Sequence, residues 1–244
     1  MSNSLKRIAK YFLDHLIVPT LRYTIAQALP GSLDITLYNL ARRKAMESSL
    51  EYADAKMSTA LMFKSRILLW DYALNKICLT GICAEFGVWK GESINYFARK
   101  LSTIYGFDSF EGLREDWKGS YLPKGTFDLQ GKLPKVAKNV HLIKGWFDVT
   151  VPGFLAHCPE PFAFVHIDCD TFEATEVVLS LIGPHLVPGT ILVFDEFFGH
   201  RGWELGEFKA WNEYVHRTGT EYESLGFSLH EVVLQIRHVP LVAA

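Results

Sequence analysis

Residues 162–170 have the sequence Phe-Ala-Phe-Val-His-Ile-Asp-Cys-Asp, an apolar run that ends in two acids. Residues 190–196, Thr-Ile-Leu-Val-Phe-Asp-Glu, follow the same pattern. Such runs are typical of strands buried on both faces, as in a parallel sheet. In open α/β sheets, ligands bind at the carboxyl ends of the strands, and buried acids there need partners or a cation. We therefore expect a site, suited to a hard metal ion, that contains the acids Asp168, Asp170, Asp195 and Glu196.

The bulk composition fits one sizeable α/β domain with an additional segment. The chain has 244 residues, of which 49% are hydrophobic and 21% charged, and its net charge of -2 does not favour nucleic acid as a partner. Residues 1–44 carry seven bases against two acids. This segment could contact a membrane surface or an acidic partner, or it could be a helical lid or dimer arm.

The cysteines and the hydropathy favour a cytoplasmic protein. The four cysteines match neither a zinc motif nor a disulfide framework, as expected in a reducing compartment. No apolar run reaches the roughly 18 residues of a transmembrane helix. Charged residues interrupt the first 33 residues, so a signal peptide is not expected.

The periodicity predicts strands that alternate with helices. Five strands are expected at 82–86, 103–107, 140–143, 162–167 and 190–194, and a closing antiparallel pair at 222–227 and 232–237. Helices are expected at 4–28, 34–51, 54–76, 91–100, 171–185 and 203–217, with a long loop at 111–135. The predicted fold is a doubly wound, mostly parallel Rossmann-like sheet with an antiparallel C-terminal strand. We expect an N-terminal helical lid or oligomerisation segment at 1–53 and the main domain at 54–244.

The first predicted strand-to-helix joint has the features of a ligand-binding turn. Gly87 allows a sharp turn and a close approach of ligand to backbone, and Gly91 opens a helix whose free N–H groups could bind an anion. Ser93 adds a hydroxyl donor. The Gly-x-x-x-Gly spacing differs from the dinucleotide fingerprint, which makes a nicotinamide dehydrogenase unlikely. Asp108, at the end of the second strand, suits ribose hydroxyls or, alternatively, caps a turn.

Five motifs in order make a family resemblance specific. They are Glu85-Phe-Gly-Val-Trp-Lys-Gly-Glu-Ser93, Tyr105-Gly-Phe-Asp-Ser-Phe-Glu-Gly112, Lys144-Gly-Trp-Phe-Asp148, His166-Ile-Asp-Cys-Asp-Thr-Phe-Glu-Ala-Thr175 and Val193-Phe-Asp-Glu-Phe197. Their succession resembles the macrocin/novobiocin-type (TylF-like) O-methyltransferases, class I enzymes that use S-adenosylmethionine. The resemblance covers roughly residues 55–215 and implies the same fold and cofactor.

The resemblance also implies roles for the cofactor-binding residues. Glu85, Gly87 and Ser93 would lie along the methionine end of S-adenosylmethionine, and Asp108 would hold the ribose with Ser109 beside it. The adenine would pack against Gly145, Trp146 and Phe147.

The acids would perform the chemistry in such an enzyme. Asp168, Asp195 and Glu196 would hold Mg²⁺, although the family often has Asp in the last position, and the ion would lower the pKa of the acceptor hydroxyl. Asp170 matches the proposed general base, or it caps the helix that starts at Thr171.

Two histidines and several aromatic residues complete the candidate set. His166 either supports the metal ligands or is a satisfied core histidine. His200 is a candidate acceptor contact, and the other candidates for an acceptor pocket are Phe198, Trp203, Glu204 and Glu207. Trp117, Tyr121 and Trp146 belong either to a lid or to the core.

The sequence thus predicts methyl transfer from S-adenosylmethionine to a hydroxyl. By resemblance, the acceptor is a sugar or polyol of a glycoconjugate or secondary metabolite. A non-catalytic module that keeps the cofactor fold is the alternative. By the same resemblance, a homodimer is expected.

Overall fold

The computed structural model describes residues 36–240 of the chain. The predicted helix at 4–28 and most of the predicted basic lid therefore lie outside the described residues. Peripheral membrane contact, the homodimer and the cytoplasmic location stay predictions. In the described part of the chain, every helix is too short or too polar to span a bilayer.

One mixed sheet of eight strands organises the described residues, in the order β1-β7-β8-β6-β5-β2-β3-β4. Neighbouring strands from β6 to β4 in this order are parallel, and β8 pairs antiparallel with both β6 and β7. The predicted doubly wound sheet with an antiparallel C-terminal strand is confirmed. The strands are β1 (Leu61–Met62), β2 (Ile82–Phe86), β3 (Ile104–Asp108), β4 (Val140–Lys144), β5 (Phe162–Ile167), β6 (Ile191–Phe194), β7 (Glu221–Phe227) and β8 (Val232–His238).

Helices cover both faces of this sheet. Residues of α4, α5 and α6 contribute to one buried apolar cluster, and residues of α2 and α3 to a second. Because both faces are covered, every residue of β5 and β6 is buried, as their apolar sequences predict. The helices are α1 (Leu37–Lys56), α2 (Arg66–Lys76), α3 (Glu92–Phe97), α4 (Phe147–His157), α5 (Phe172–Ile182) and α6 (Glu207–Thr218), with 3-10 turns at Gly183–His185 and Trp203–Leu205.

The register aligns the carboxyl ends of the three central strands. Phe86 of β2 is opposite Ile167 of β5, and Ile167 is opposite Phe194 of β6. Gly87, Asp168 and Asp195 are the next residues of their chains, so all three leave the sheet at the same edge.

The predicted helix at 54–76 is wrong in its first half. Helix α1 continues to Lys56 and therefore crosses the predicted boundary between residues 53 and 54. Leu61 and Met62 then add to the sheet, where they pair with Gly226 and Phe227 of β7. This pairing joins residues far apart in sequence, so the local pattern cannot show it. The domain division itself stays a prediction.

Helix α4 was not predicted, because Pro152 and Gly153 lie inside it and both disfavour helix interiors. Val151 and Leu155 are buried against the core on the same helix. We infer that this packing offsets the weak local propensity. The other predicted strands and helices are found within a few residues, except that the expected helix at 203–217 is interrupted at Gly206 and that at 91–100 is shorter.

Candidate active site

A cavity opens at the carboxyl edge of β2, β3, β4 and β5, where the sequence predicts the cofactor. Asp168 and Asp170 line it together with six of the predicted cofactor residues: Gly87, Asp108, Ser109, Gly145, Trp146 and Phe147. The predicted residues Glu85 and Ser93 are instead buried, and Ser93 Oγ donates a hydrogen bond to Glu85 Oε1 at 2.8 Å. The structure therefore brings together most of the predicted cofactor set and places two members inside the protein.

Gly87 permits the close approach of two strand ends. Its φ is +91°, and a Cβ atom there would lie 1.8 Å from the carbonyl oxygen of Asp168. The amide of Asp168 also donates to the carbonyl of Phe86 at 2.9 Å. The glycine therefore holds Asp168 beside the first turn, where a side chain would push it away.

Asp108 organises the same turn through its carboxylate. Oδ2 accepts hydrogen bonds from the amides of Val88 and Trp89, both at 2.8 Å, and Oδ1 accepts from Phe110 N–H at 2.7 Å. The alternative that this acid caps a turn is confirmed. A carboxylate has about four acceptor positions, so one remains for a ribose hydroxyl, and the ribose role stays a prediction.

Three buried ionisable groups lie beneath the cavity. His166 Nδ1 is 3.3 Å from Glu85 Oε2, and its Nε2 is 3.5 Å from Asp195 Oδ1. Although burial opposes its charge, these two acids raise the pKa of His166 to about 10. The histidine thus links the acid below the first turn to a predicted metal ligand, and it is more than a core side chain.

Asp168 and Asp195 form the part of the predicted metal set that the structure groups together. One ligand atom each of His166, Asp168 and Asp195 lies within 4.8 Å of the others. Burial first, and then the neighbouring acids Asp195 and Asp170, raise the pKa of Asp168 well above its ordinary value. Among residues 36–240, no hydrogen-bond donor satisfies the buried Asp195 Oδ1. The unpaired Asp195 oxygen and the neighbouring Asp168 carboxylate, which repel each other, fit a hard divalent cation.

Glu196 belongs to a different group. Its Oε2 lies 3.3 Å from His200 Nδ1, and ligand atoms of Glu196, His200 and His230 lie within 4.8 Å of one another. Neither Glu196 nor His200 lines the cofactor cavity. His230 was not singled out from the sequence, although the pairing of β6 with β8 places it near the end of β6.

Glu207 connects the two acidic loops. Its Oε1 accepts hydrogen bonds from the amides of Cys169 and Asp170 at 2.9 and 3.2 Å, and its Oε2 accepts from Glu196 N–H at 3.1 Å. Burial raises its pKa to about 7. The sequence suggested an acceptor-pocket role, but the side chain is fully buried and supports the loops instead.

Asp170 faces the cavity from an unusual backbone conformation. Its φ is +63°, in the left-handed region that disfavours side chains other than Gly, Asn and Asp. Thr171, whose hydroxyl accepts from Ala174 N–H, caps α5, so the alternative of Asp170 as the cap is wrong. Burial, followed by repulsion from Glu207 and Asp195, raises the pKa of Asp170 well above its ordinary value.

The long loop at 111–135 covers the cavity as a lid, and two contacts hold it there. Arg114 makes a two-pronged ion pair with Asp148 at 3.0 and 3.2 Å, and its guanidinium lies 4.1 Å from the ring centroid of Trp146. Phe127 packs edge-on against Trp89, with centroids 5.2 Å apart. The sequence singled out neither Arg114 nor Phe127, because only the folded loop brings them to the cavity.

Comparison with known proteins agrees with this geometry. Residues 84–197 match the family Methyltransf_24, described as a methyltransferase domain. A relative from Streptomyces olivaceus, "8-demethyl-8-(2,3-dimethoxy-alpha-L-rhamnosyl)-tetracenomycin-C 4'-O-methyltransferase", is 27% identical over 156 residues. The match covers 52% of this chain and 58% of that relative, so the chain spans little more than half of its length.

Two solved structures have a similar fold. The calicheamicin methyltransferase CalS11 has a TM-score of 0.57 at 22% identity, over 83% of this chain and 94% of that one. The O-methyltransferase NovP has a TM-score of 0.51 at 19% identity, over 71% and 80%. Likeness at this identity supports the fold, and the predicted family resemblance is confirmed by the matching domain. Residues 84–197 of this chain are therefore similar to the methyltransferase domain described by the Methyltransf_24 family, and the fold agrees with that similarity.

Proposed function

We propose that the chain transfers a methyl group from S-adenosylmethionine to a hydroxyl of a sugar or polyol. The observation that carries this proposal is the cavity in which Gly87, Asp108 and Trp146 face Asp168 and Asp170. A cofactor along the first three residues would present its reactive end to the two acids. The methyltransferase domain over residues 84–197 supports the choice of cofactor.

Within this proposal the cofactor is held mainly by backbone and aromatic groups. Gly87 leaves room for the methionine end, the remaining acceptor capacity of Asp108 takes a ribose hydroxyl, and Trp146 offers an aromatic face for the adenine. In this proposal Glu85 and Ser93 support the site from the protein interior, where they hold the turn after β2 and the ring of His166 in place.

Asp168 and Asp195 would hold Mg²⁺, because the repulsion between them and the unpaired Asp195 Oδ1 favour a cation. Glu196, the third ligand that the sequence predicts, instead lies against His200. When bound, the ion orients the acceptor hydroxyl and lowers its pKa.

Asp170 serves as general base in this proposal. Bound S-adenosylmethionine would supply the methyl group to the acceptor oxygen, with the new O–C bond replacing the C–S bond, and S-adenosylhomocysteine would be the other product. The hydroxyl proton passes to the Asp170 carboxylate. Because burial and nearby acids raise the pKa of Asp170, it accepts a proton more readily than an exposed Asp would.

The acceptor class rests on the relatives. The relative from Streptomyces olivaceus is named as a 4'-O-methyltransferase of a rhamnosyl tetracenomycin C, which favours a sugar hydroxyl on a secondary metabolite or glycoconjugate.

Calorimetry and a transfer assay test the proposal. We expect S-adenosylmethionine to bind at micromolar concentration and NAD not to bind; the reverse result would remove the cofactor assignment. Methyl transfer from labelled cofactor should then be screened over glycosylated acceptors with the natural protein and with Asp170→Asn. If the variant loses transfer but keeps cofactor affinity, the base is supported, and a protein that binds cofactor without any transfer supports the non-catalytic alternative.

A further inference from the structure

We propose that Glu196, His200 and His230 form a second cation site, selective for a transition-metal ion such as Zn²⁺. The site is separate from the Asp168 and Asp195 pair. Glu196 and His200 lie on the loop that follows β6, and His230 lies in the turn between β7 and β8. One ligand atom of each residue lies within 4.8 Å of the other two.

The spacing of these side chains is close to that of a metal centre. Donors bound at about 2.0–2.1 Å to a tetrahedral Zn²⁺ are roughly 3.3 Å apart. Glu196 Oε2 and His200 Nδ1 already lie 3.3 Å apart. A third donor within 4.8 Å needs only a small side-chain rotation to join them.

The backbone orients His230 in the way metal-ligating histidines are oriented, whereas His200 Nδ1, which lies 3.2 Å from the carbonyl oxygen of Phe198, must release its proton to bind an ion. His230 Nδ1 is 3.0 Å from the carbonyl oxygen of Phe198, to which an Nδ1–H donates, so Nε2 carries the lone pair for a metal. The carbonyl of His230 accepts hydrogen bonds from the amides of Phe197 and Phe198 at 3.0 and 3.3 Å. The turn and the loop are thus fixed against each other before any ion binds.

A glycine keeps the two segments close. Gly199 has a φ of +80°, and a Cβ there would lie 2.3 Å from the carbonyl oxygen of Leu229 and 2.7 Å from His230 Nδ1. Any larger residue would separate His230 from the loop that carries Glu196 and His200.

The donor set selects the class of ion. Mg²⁺ prefers oxygen ligands, whereas imidazole suits Zn²⁺ and similar transition metals. Two histidines and one carboxylate also leave coordination positions open for water or an acceptor group. The site therefore differs in kind from the carboxylate pair beside it.

An ion could reach this site from solvent. The side chains of Glu196 and His200 keep 21% and 17% exposure, respectively. The Glu196 carboxylate supplies a negative charge that a bound cation would compensate.

Binding at this site has a structural consequence. The ion would lock the loop after β6 to the turn between β7 and β8, and it would engage Glu196 away from Asp168. The inference does not depend on the proposed methyl transfer, because zinc binding is measurable without cofactor or acceptor.

Calorimetric titration with Zn²⁺ tests the site in an Asp168→Asn background, which removes one carboxylate of the neighbouring pair. We expect one Zn²⁺ per chain, with at least tenfold weaker binding after His230→Gln or His200→Gln is added. His216→Gln, an exposed histidine outside the group, is the matched control and should leave binding unchanged.

Unchanged zinc affinity in both His200→Gln and His230→Gln overturns the proposal. A zinc X-ray absorption spectrum of the Asp168→Asn protein gives a second readout, which does not require the histidine variants to fold. Two imidazole nitrogens per ion support the site, and an all-oxygen shell refutes it.

Discussion

Replacement of Gly87 by Ala should damage both the stability and the site of this protein. Positive φ costs a residue with a Cβ about 1–2 kcal/mol. The new Cβ would lie 1.8 Å from the Asp168 oxygen, whereas real Cβ atoms essentially never approach within 3.0 Å, so the strand ends must separate by more than an ångström. Loss of the hydrogen bond from Asp168 N–H to Phe86 adds about 1 kcal/mol. We therefore expect Gly87→Ala to lower the free energy of unfolding by about 3 kcal/mol in total.

Gly125→Ala is the matched control, because Gly125 has a φ of +82° and open space where its Cβ would be. This substitution should lower the free energy of unfolding only by the cost of a positive φ at a residue with a Cβ, about 1–2 kcal/mol. In a chain of this size, 1 kcal/mol lowers Tm by about 2–4 °C. Thermal unfolding of both variants, with calorimetry of S-adenosylmethionine and Mg²⁺ binding, measures the difference. Equal Tm losses in the two variants would refute the argument that close approach at Asp168 requires Gly87.

Three further changes test separate parts of the site. Glu207→Gln should destabilise the protein by about 1–3 kcal/mol in urea unfolding, because one of its two acceptor oxygens becomes a donor facing backbone N–H groups. His166 has a raised pKa of about 10, so its contribution to stability is present at and below about pH 6.5 and is lost as pH rises toward 10. His166→Gln in chelator should remove that part of the pH dependence of unfolding, and an unchanged slope would contradict it. Arg114→Ala breaks a half-exposed ion pair with Asp148, so stability should change by less than about 1 kcal/mol. S-adenosylmethionine should dissociate faster in stopped-flow measurements, because the lid loses its contact with Trp146.

Some of the site follows from local sequence, because its residues are next to strand ends. Asp168 and Asp195 each come directly after an apolar run, and parallel strands bring such ends to one edge of a sheet. Gly87 and Asp108 were predictable for the same reason. The lining of the cavity by Gly145, Trp146 and Phe147 also agrees with the family resemblance.

Other features depend on contacts between distant residues. One such feature is the separation of two adjacent acids into different groups of side chains. Asp195 lies beside His166, whereas Glu196 lies beside His200 and His230. The side chains of successive residues at a strand end point in different directions, so Asp195 and Glu196 have different neighbours. Only the packing of the β7–β8 turn determines which residues contact Glu196. Glu207, which looked like a pocket residue, is buried because its carboxylate serves three backbone amides.

The sequence by itself determined the α/β fold, the edge of the sheet where the site lies, and eight of the residues that line its cavity. Strand burial and turn geometry depend on local sequence, so short runs such as residues 162–170 are enough to predict them. The tertiary structure alone decided that β1 joins the sheet, that Arg114 covers Trp146, and that His230 stands beside Glu196. Each of these depends on pairing or packing between segments far apart in the chain, which no local pattern specifies.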